Sequence, residues 1–379
     1  MQKPPKKILF AAVDVGYRIE LYTKFIRQYH SMELYPESLC TYVLPKEHYK
    51  STYTYEYNFH LHTKLYRWHK SLFNFIRCLC RYDVFHFISG ETLLTRKLRR
   101  FELRIYKIFG KRIIMHFVGS DIRDEGYIYW KEQNIIQFIK GTDNNTKSLP
   151  WQKELIQDAE RYADSVLVST PDLKKLIPNS IYYPVMLDLD KFLLEINERP
   201  PMQRTVNEIV ILHCPSSVVK SKLKGTDYII KVLKKMEQDA KYNIRLLLPS
   251  EDEKKRSTNY SATRYELFQY YKEADIIIDQ MIIGWYGLLS VEALATGKQV
   301  ISYIDEALKP FLFPNCPIRQ ADVNTLEKII VSCIEDIQNG VHKPSDQIDW
   351  VRKNHTIEYN HMALLNSWNI NENPDEKKF

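Results

Sequence analysis

Residues 276–303 of the chain read IIIDQMIIGWYGLLSVEALATGKQVISY. The opening run Ile276–Ile278 is continuous and β-branched, which is typical of a parallel strand covered on both faces. Gly284 and Gly287 allow the backbone to turn tightly, and a helix is predicted to begin near Gly287. Gly297 suits the left-handed residue that ends such a helix, and a second apolar strand is predicted after it. This pattern indicates a strand–helix–strand unit of a parallel α/β domain.

The predicted start of this helix has the properties of an anion site. Its first backbone N–H groups, from Gly287 to Ser290, lack acceptors within the helix, and the helix dipole adds roughly half a positive charge there. Glu292 follows one turn later, where a phosphate would repel it and the sequence shows no structural reason for a carboxylate. A bound sugar diol would account for Glu292. The alternative is an ordinary βαβ unit in which Glu292 is merely solvated.

This segment resembles the donor-site signature of retaining glycosyltransferases of the GT-B fold, specifically family 4. The resemblance implies that Glu292 holds the ribose hydroxyls of a nucleotide sugar, while backbone groups of residues 286–289 bind the diphosphate and the sugar. The chain departs from the family at Gly284, where the family has a first Glu that contacts the transferred sugar. Asp279 and Gln280 are the candidate replacements. The predicted donor-binding residues here are Asp279, Gln280, Gly284, Tyr286, Gly287, Leu288, Leu289 and Glu292.

A basic loop is the second candidate for donor binding. Residues 211–227 read ILHCPSSVVKSKLKGTD and are predicted to form a strand, a loop and a helix that begins near Thr226. In the family, an Arg and a Lys of this loop neutralise the donor diphosphate, and Lys224 matches the position of the Lys before a Gly. No Arg is present, so Lys220 and Lys222 are the remaining candidates. The alternative is a solvated basic loop.

A third group of candidates lies in the N-terminal half. Residues 115–123 read MHFVGSDIR and lie at the carboxyl end of the fourth predicted strand and in the loop after it. The segment resembles the family's sugar-facing loop, which makes His116 and Asp121 the candidate catalytic residues. Alternatively, Ser120 or Asp121 caps a helix and His116 is a core residue. The remaining candidates are His86, Ser120 and Arg123 for acceptor binding, and Gly16 for close backbone approach to the donor.

A chain of 379 residues exceeds the usual size of one hydrophobic core, so two domains are expected. Apolar strands alternate with helical stretches throughout, which predicts two Rossmann-like parallel sheets that face one cleft. The expected parts are an acceptor-binding domain (1–184), a nucleotide-sugar-binding domain (185–345), a helix (346–368) that resembles the family's crossing helix and packs on the first domain, and a tail (369–379). The predicted strands cover residues 7–13, 40–44, 84–88, 112–117, 165–169, 208–214, 243–248, 275–279 and 299–304.

Positive charge is concentrated in one part of the chain. Residues 60–112 contain thirteen Lys and Arg against three Asp and Glu, a local net charge of +10. Apolar residues recur at helical spacing in residues 64–80 and 93–109, which favours helices on an anionic membrane surface over a nucleic-acid groove. The alternative is a pair of ordinary amphipathic helices with solvated basic residues.

The remaining features concern the cellular setting. The six cysteines show no disulfide framework in a chain of this size. Cys78 and Cys80 would point to different faces of a predicted helix, which disfavours a metal pair. The N-terminus leads directly into a strand, and no apolar run has the length of a membrane span. A cytoplasmic protein is expected, peripheral on the inner face of the membrane if the basic helices bind it. Asp188-Leu-Asp190 is interpreted as a turn, and the resemblance implies that neither a metal nor a further cofactor is required.

The main functional hypothesis is a hexosyltransferase. It would move a sugar from a nucleotide diphosphate sugar to a glycan acceptor, lipid-linked, in the synthesis of cell-surface polysaccharide or glycoconjugate, with retention of configuration. A catalytically inactive partner subunit is the second hypothesis, motivated by Gly284. A sugar-nucleotide epimerase of the same fold is the third, and it would need no acceptor. A nicotinamide-dependent enzyme is disfavoured, because the Gly-x-Gly-x-x-Gly fingerprint is missing after the first strand.

Overall fold

The computed structural model describes residues 4–41, 53–57, 59–123, 149–200, 205, 207–216, 224–239, 241–249 and 262–369. These residues form two compact units. The first unit contains the described residues up to 186 together with residues 360–369, and the second unit contains the described residues from 187 to 359. Each unit is an α/β structure built on one parallel sheet.

The regular elements alternate along the chain as a parallel α/β protein requires. The strands are β1 (Lys6–Ala12), β2 (Leu34–Cys40), β3 (Tyr55–Glu56), β4 (Val84–Ile88), β5 (Arg112–Phe117), β6 (Ser165–Val168), β7 (Ile181–Tyr182), β8 (Ile209–Leu212), β9 (Ile244–Leu247), β10 (Ile276–Ile278), β11 (Gln299–Ser302) and β12 (Arg319–Gln320). The helices are α1 (Arg18–Tyr29), α2 (Lys64–Arg81), α3 (Arg99–Ile108), α4 (Pro150–Tyr162), α5 (Leu189–Asn197), α6 (Thr226–Gln238), α7 (Arg264–Glu273), α8 (Leu288–Ala295), α9 (Leu326–Gln338), α10 (Pro344–His355), α11 (Ile357–Asn360) and α12 (Met362–Trp368).

The sheet of the first unit has the order β3-β2-β1-β4-β5-β6-β7. Its central strands β1, β4 and β5 are almost entirely buried, which explains why their sequences are continuous apolar runs. The helix α12 belongs to this unit. Trp368 is fully buried, and Arg112 Nε donates to the carbonyl oxygen of Ser367 at 2.6 Å.

The sheet of the second unit has the order β12-β11-β10-β8-β9. Because all its strands run parallel, their carboxyl ends share one edge, and the loops that lead into α6 and α8 follow that edge. The two loops touch, since the N–H of Met281 donates to the carbonyl oxygen of Lys224 at 3.0 Å. The fold therefore brings the two predicted donor-binding segments together.

The two parallel-sheet α/β units predicted from the strand–helix alternation are confirmed. The position of the second strand was wrong, because β2 ends at Cys40, where the prediction had it begin. This strand contains Pro36 and a buried Glu37, whose carboxylate bonds Arg81 and the hydroxyl of Tyr82. A buried acid with distant partners does not look like a strand residue in the sequence.

The C-terminal segment also differs from expectation. Residues 344–368 form three helices and not one, because Thr356 adopts an extended backbone conformation after α10. Asp188, expected in a turn, caps α5 by accepting a hydrogen bond from the N–H of Lys191 at 3.3 Å. Within the described parts of the chain, we find no helix with both the length and the apolar character needed to cross a bilayer.

Candidate functional site

The helix α8 begins where the sequence predicted it. Gly287 is its N-cap residue in an extended conformation, and Leu288 is the first helical residue. Gly287, Leu288 and Leu289 are partly exposed, whereas the following Ser290 is buried. The N–H groups of Leu288 and Leu289 meet no acceptor among the described residues. The tip of α8 therefore offers two free backbone donors at the carboxyl edge of the sheet.

A buried carboxylate holds this tip in place. Asp279 directly follows β10, and its Oδ2 accepts hydrogen bonds from the Gly287 N–H at 3.1 Å and from the Ser290 hydroxyl at 2.6 Å. Its Oδ1 accepts from Lys224 Nζ at 2.5 Å. Burial by itself raises the pKa of Asp279, but Lys224 and the two other donors outweigh it and bring the pKa below its usual value. Asp279 is thus a charged link between Lys224 and the start of α8.

Lys224 is the one predicted lysine of the basic loop that falls within the described residues; Lys220 and Lys222 lie outside them. It precedes Gly225, the left-handed N-cap residue of α6, as the sequence resemblance required. An ammonium group has three N–H donors, and Asp279 uses one of them. The Lys224 side chain keeps 16% of its surface exposed, so it can meet an anion while it stays paired with Asp279.

His213, which sequence reasoning did not identify, is hydrogen-bonded to β10 and α6, the elements next to these loops. Its Nδ1 donates to the carbonyl oxygen of Ile278 at 2.8 Å, and its Nε2 accepts from the Thr226 hydroxyl at 2.9 Å. Burial lowers the pKa of His213 to about 4, so the ring is neutral and carries one donor and one acceptor, as these two bonds require. The ring joins the end of β10 to the start of α6.

Glu292 has a structural role that the sequence did not reveal. The residue is 1% exposed, its Oε1 lies 2.6 Å from Arg264 Nη1, and its Oε2 accepts from the Tyr271 hydroxyl at 2.8 Å. Both partners belong to α7, so the carboxylate connects α7 to α8. The alternative of a merely solvated Glu292 was wrong, because the carboxylate is buried between these two partners. Its contact with a ribose stays a prediction.

Gln280 and Tyr286 are also occupied by protein partners. The Gln280 amide donates to the carbonyl oxygens of Trp285 and Tyr303, both at 2.9 Å, and its oxygen accepts from the N–H of Ile282 and Ile283. It thereby shapes the turn between β10 and α8. The Tyr286 hydroxyl lies 3.2 Å from His355 Nε2 and its ring stacks on that of Trp285. Sugar contacts from Asp279 and Gln280 stay predictions, because both side chains are buried in these networks.

Gly284 occupies a position where a side chain would be strained. Its φ is +86°, and a Cβ atom added there would lie 3.0 Å from Asp305 Cβ. The N–H of Asp305 also donates to the Gly284 carbonyl oxygen at 2.9 Å, which holds the two residues together. A Glu at this position would therefore be strained by the left-handed backbone and crowded by Asp305. Asp305, which sequence reasoning missed, places a carboxylate next to the position where that Glu would begin.

Gly284→Ala is expected to lower the free energy of unfolding by about 2 to 3 kcal/mol, through left-handed strain together with the contact to Asp305. Gly340→Ala is the matched control, since Gly340 has a φ of +66° and nothing within 4 Å of the added Cβ. It should cost only about 1 kcal/mol. Denaturant unfolding of both variants measures the difference, and equal losses would show that Asp305 does not obstruct position 284.

In the first unit, the predicted His86 and His116 lie side by side in the core, both 0% exposed. His86 Nε2 lies 3.4 Å from His116 Nδ1, and His116 Nε2 lies 3.0 Å from Ser169 Oγ. The indole N–H of Trp368 donates to His86 Nδ1 at 3.0 Å. Burial lowers the pKa of both rings, that of His86 to about 3, so both are neutral. Every ring nitrogen of the pair has a protein partner.

The loop after β5 is held by hydrogen bonds between its own residues. The Asp121 carboxylate accepts three backbone N–H bonds at 2.8 to 3.1 Å, all from its own loop. Whether Ser120 or Asp121 also caps a helix stays a prediction, because the residues that follow Arg123 lie outside the described part of the chain. Arg123 forms a two-pronged ion pair with Asp172 at 2.7 and 2.8 Å. Ser120 is exposed, and Gly16 has the left-handed φ of +69° that a tight turn after β1 needs. The ligand roles predicted for these residues stay predictions.

Sequence reasoning missed two kinds of residue. Arg18 and Ser169 follow β1 and β6 at the carboxyl edge of the first sheet, so the rule that sites collect at that edge could have identified them. Arg264 and Tyr271 offered no such signal, because they lie within a helix and meet Glu292 only after folding.

Comparisons with known proteins bear on the fold. No protein-family model matches the sequence, and no curated protein matches it significantly. Among solved structures, Anabaena HepE in complex with UDP and glucose is similar, with a TM-score of 0.56, 14% identity and coverage of 96% of this chain and 99% of that one. A glycosyltransferase from Rickettsia africae has a TM-score of 0.58, 10% identity and coverage of 96% and 98%. Sucrose-phosphate synthase from Thermosynechococcus elongatus has a TM-score of 0.55, 11% identity and coverage of 96% and 98%. The chain therefore has the two-unit GT-B fold along nearly its whole length.

Proposed function

We propose that the chain is a glycosyltransferase that moves a sugar from a nucleotide diphosphate sugar to a glycan acceptor, with retention of configuration. The observation that carries this proposal is the tip of α8. There, the free N–H groups of Leu288 and Leu289 and the charged Lys224 lie at the carboxyl edge of the second sheet. Backbone donors, a helix dipole and a lysine together suit a diphosphate.

The same groups account for the chemistry. When the bond from the sugar to the diphosphate breaks, negative charge accumulates on the departing phosphate oxygens. The α8 tip and Lys224 would stabilise that charge without rearrangement, because Asp279 already holds both in position. Asp279 also limits the net positive charge of the site, which favours release of the nucleotide product.

The donor is proposed to be a uridine nucleotide sugar. The HepE structure of the same fold was determined with UDP and glucose, which makes UDP-glucose the first donor to test. Glu292 is proposed to orient the ribose, and this would require the carboxylate to share its bonds to Arg264 and Tyr271 with the sugar hydroxyls.

The acceptor is proposed to be lipid-linked, with the protein bound to an anionic membrane surface. The helix α2 supports this proposal, because it packs Phe75 and Cys78 into the core and still exposes a second set of apolar residues to solvent: Leu65, Trp68, Leu72, Phe73 and Ile76. Basic residues lie along the same helix, and two of them, Lys70 and Arg77, lie over the aromatic rings of Tyr57 and Tyr55, respectively. A helix with an exposed apolar face and basic borders is typical of a membrane interface. An epimerase, which needs no acceptor, would have no use for it.

Calorimetric titration with UDP-glucose tests the donor site. We expect binding to the wild-type protein and about tenfold weaker binding to Lys224→Gln, which removes the charge but keeps a donor for Asp279. Lys235→Gln is the control, because Lys235 lies on α6 in an exposed ion pair with Glu327. Retained affinity in Lys224→Gln would contradict the assignment of Lys224.

Release of UDP by the wild-type protein distinguishes a transferase from an inactive partner subunit. A transferase should release UDP in the presence of a suitable acceptor. An inactive partner subunit, the alternative favoured by Gly284, should bind UDP-glucose and release nothing. If no UDP-, GDP- or ADP-sugar binds to the folded wild-type protein, the proposed function is wrong.

A further inference from the structure

Arg18 is a buried charge whose hydrogen-bond partners are neutral. The residue is 5% exposed at the start of α1, and its guanidinium donates to the Val15 carbonyl oxygen and, at 3.2 Å, to Ser169 Oγ. The Tyr22 hydroxyl is another neutral neighbour. Arg18 Nε is buried and has no partner among the described residues. A guanidinium without a bonded carboxylate is expensive to bury.

No carboxylate among the described residues is hydrogen-bonded to Arg18. Asp14 interacts electrostatically with Arg18, but its two oxygens accept from the Ile19 N–H and from the Tyr53 hydroxyl, both at 3.2 Å. Burial raises the pKa of Asp14 to about 6, so its charge is easily lost. The Nε–H of Arg18 therefore stays without an acceptor among the described residues.

The hydrogen bonds of the histidine pair show that the Ser169 hydroxyl is also a donor without an acceptor among the described residues. The indole N–H of Trp368 can only donate, so His86 Nδ1 must accept and His86 Nε2 must carry the proton. His86 Nε2 then donates to His116 Nδ1, which leaves the proton of His116 on Nε2, directed at Ser169 Oγ. The hydrogen-bond network thus assigns both tautomers from one end to the other.

A hydroxyl oxygen has two lone pairs, and Ser169 uses both. One accepts from His116 Nε2 at 3.0 Å and the other from Arg18 Nη2 at 3.2 Å. The Ser169 O–H must consequently donate elsewhere, and it meets no acceptor among the described residues. Arg18 Nε–H and Ser169 O–H are two unsatisfied donors in one place, at the carboxyl edge of the first sheet.

We propose that Arg18 and Ser169 bind an anionic oxygen group, a phosphate or a carboxylate, of the ligand of the first unit. Its oxygens would accept the two unsatisfied hydrogen bonds and neutralise the guanidinium. The chain Trp368–His86–His116 acts as a positioning device, since it forces the Ser169 hydroxyl to donate. If the ligand is the glycan acceptor, an identification that rests on the proposed function, the acceptor carries a negative charge next to the sugar-accepting part.

The test is thermal unfolding with inorganic phosphate or acetate as the probe, at ionic strength held constant with sodium chloride. We expect one of the two anions to raise the melting temperature of the wild-type protein in a saturable way. In Arg18→Met the midpoint concentration should rise about tenfold or more, because a charged partner is lost. Ser169→Ala should weaken binding in the same direction. Arg27→Met, which removes an exposed arginine of α1, should bind like the wild type.

The melting temperature without anion separates binding from folding. Arg18→Met removes a buried charge with neutral partners, so it should melt no lower than the wild type. If that variant does not fold, Ser169→Ala alone decides the matter. Saturable binding that is equal in the wild type and the variants, or no binding of either anion, would overturn the proposal.

UDP-glucose binding is measured on the same variants. It should persist in Arg18→Met, because the groups proposed to bind the diphosphate, Leu288, Leu289 and Lys224, belong to the second unit. Anion binding that depends on Arg18 but without nucleotide-sugar binding would leave the anion site standing and remove the glycosyltransferase proposal. Nucleotide-sugar binding without Arg18-dependent anion binding would remove the anion site and leave the glycosyltransferase proposal standing.

Discussion

Replacing Glu292 with alanine is expected to lower the free energy of unfolding of the second unit by about 3 to 5 kcal/mol. The Glu292 carboxylate pairs with Arg264 at 2.6 Å and accepts from the Tyr271 hydroxyl at 2.8 Å, and it is almost completely buried. Its removal leaves the Arg264 charge and a buried hydroxyl without this partner, at the junction of α7 and α8. Denaturant titration followed by circular dichroism measures the loss.

Two further variants divide this effect. Tyr271→Phe removes one neutral donor from the network and should cost about 1 to 2 kcal/mol. Glu292→Gln keeps the shape and one acceptor, so its loss should lie between the other two. An alanine variant as stable as the wild type would show that the carboxylate does not connect α7 to α8.

This expectation changes how the donor site must be tested. Loss of nucleotide-sugar binding in Glu292→Ala could follow from displacement of α8, whose tip supplies the backbone donors. The ribose contact is therefore better tested with Glu292→Gln, after its stability has been measured. Lys224→Gln remains the cleaner variant, because Lys224 keeps part of its surface exposed.

Replacing three exposed apolar residues of α2 is expected to abolish membrane binding. Trp68, Phe73 and Ile76 are 47%, 56% and 54% exposed. Each large apolar side chain contributes about 1.5 to 3 kcal/mol when fully buried, so even partial insertion of three predicts a loss of about a hundredfold or more on replacement by serine. Flotation with vesicles that contain anionic lipid measures the partition coefficient of the triple variant and the wild type.

The controls use the same unit and the same vesicles. Met32→Ser removes an apolar side chain that is 66% exposed but lies outside α2, and it should bind like the wild type. Salt should weaken wild-type binding, because the basic residues that border α2 act through screened charges. Wild-type protein that stays unbound at low salt would exclude the membrane proposal, and the apolar face would then require another occupant.

Local patterns explain which parts of the fold were predictable. Local preferences predicted three features of residues 276–297. A strand forms at Ile276–Ile278, a helix starts after Gly287, and that helix ends before Gly297, which has a left-handed backbone. The same reasoning misplaced the strand β2. Its buried Glu37 is bonded to Arg81 and Tyr82, which lie more than forty residues away in the sequence. Two-residue strands such as β3 and β12 are too short to leave a pattern.

The candidate site divides in the same way. Lys224 and Gly287 were predicted to serve one site, and the fold brings them to the same carboxylate of Asp279. Glu292 was identified as unusual, but its partners were not, because nothing local distinguishes Arg264 or Tyr271 from other helix residues. His116 was identified as well, yet its tautomer depends on Trp368, a residue of the last helix.

The two parallel sheets, the glycine turn and the free N–H groups at the start of α8 could all be predicted from the amino-acid sequence. Those features depend on backbone geometry and on the spacing of apolar residues, which neighbouring residues express directly. Which charges are compensated became visible only in the folded protein: Glu292 by Arg264, Lys224 by Asp279, and Arg18 by no bonded carboxylate among the described residues. The physical reason is that the energy of a buried charge depends on partners that are distant in the chain and meet only when it folds.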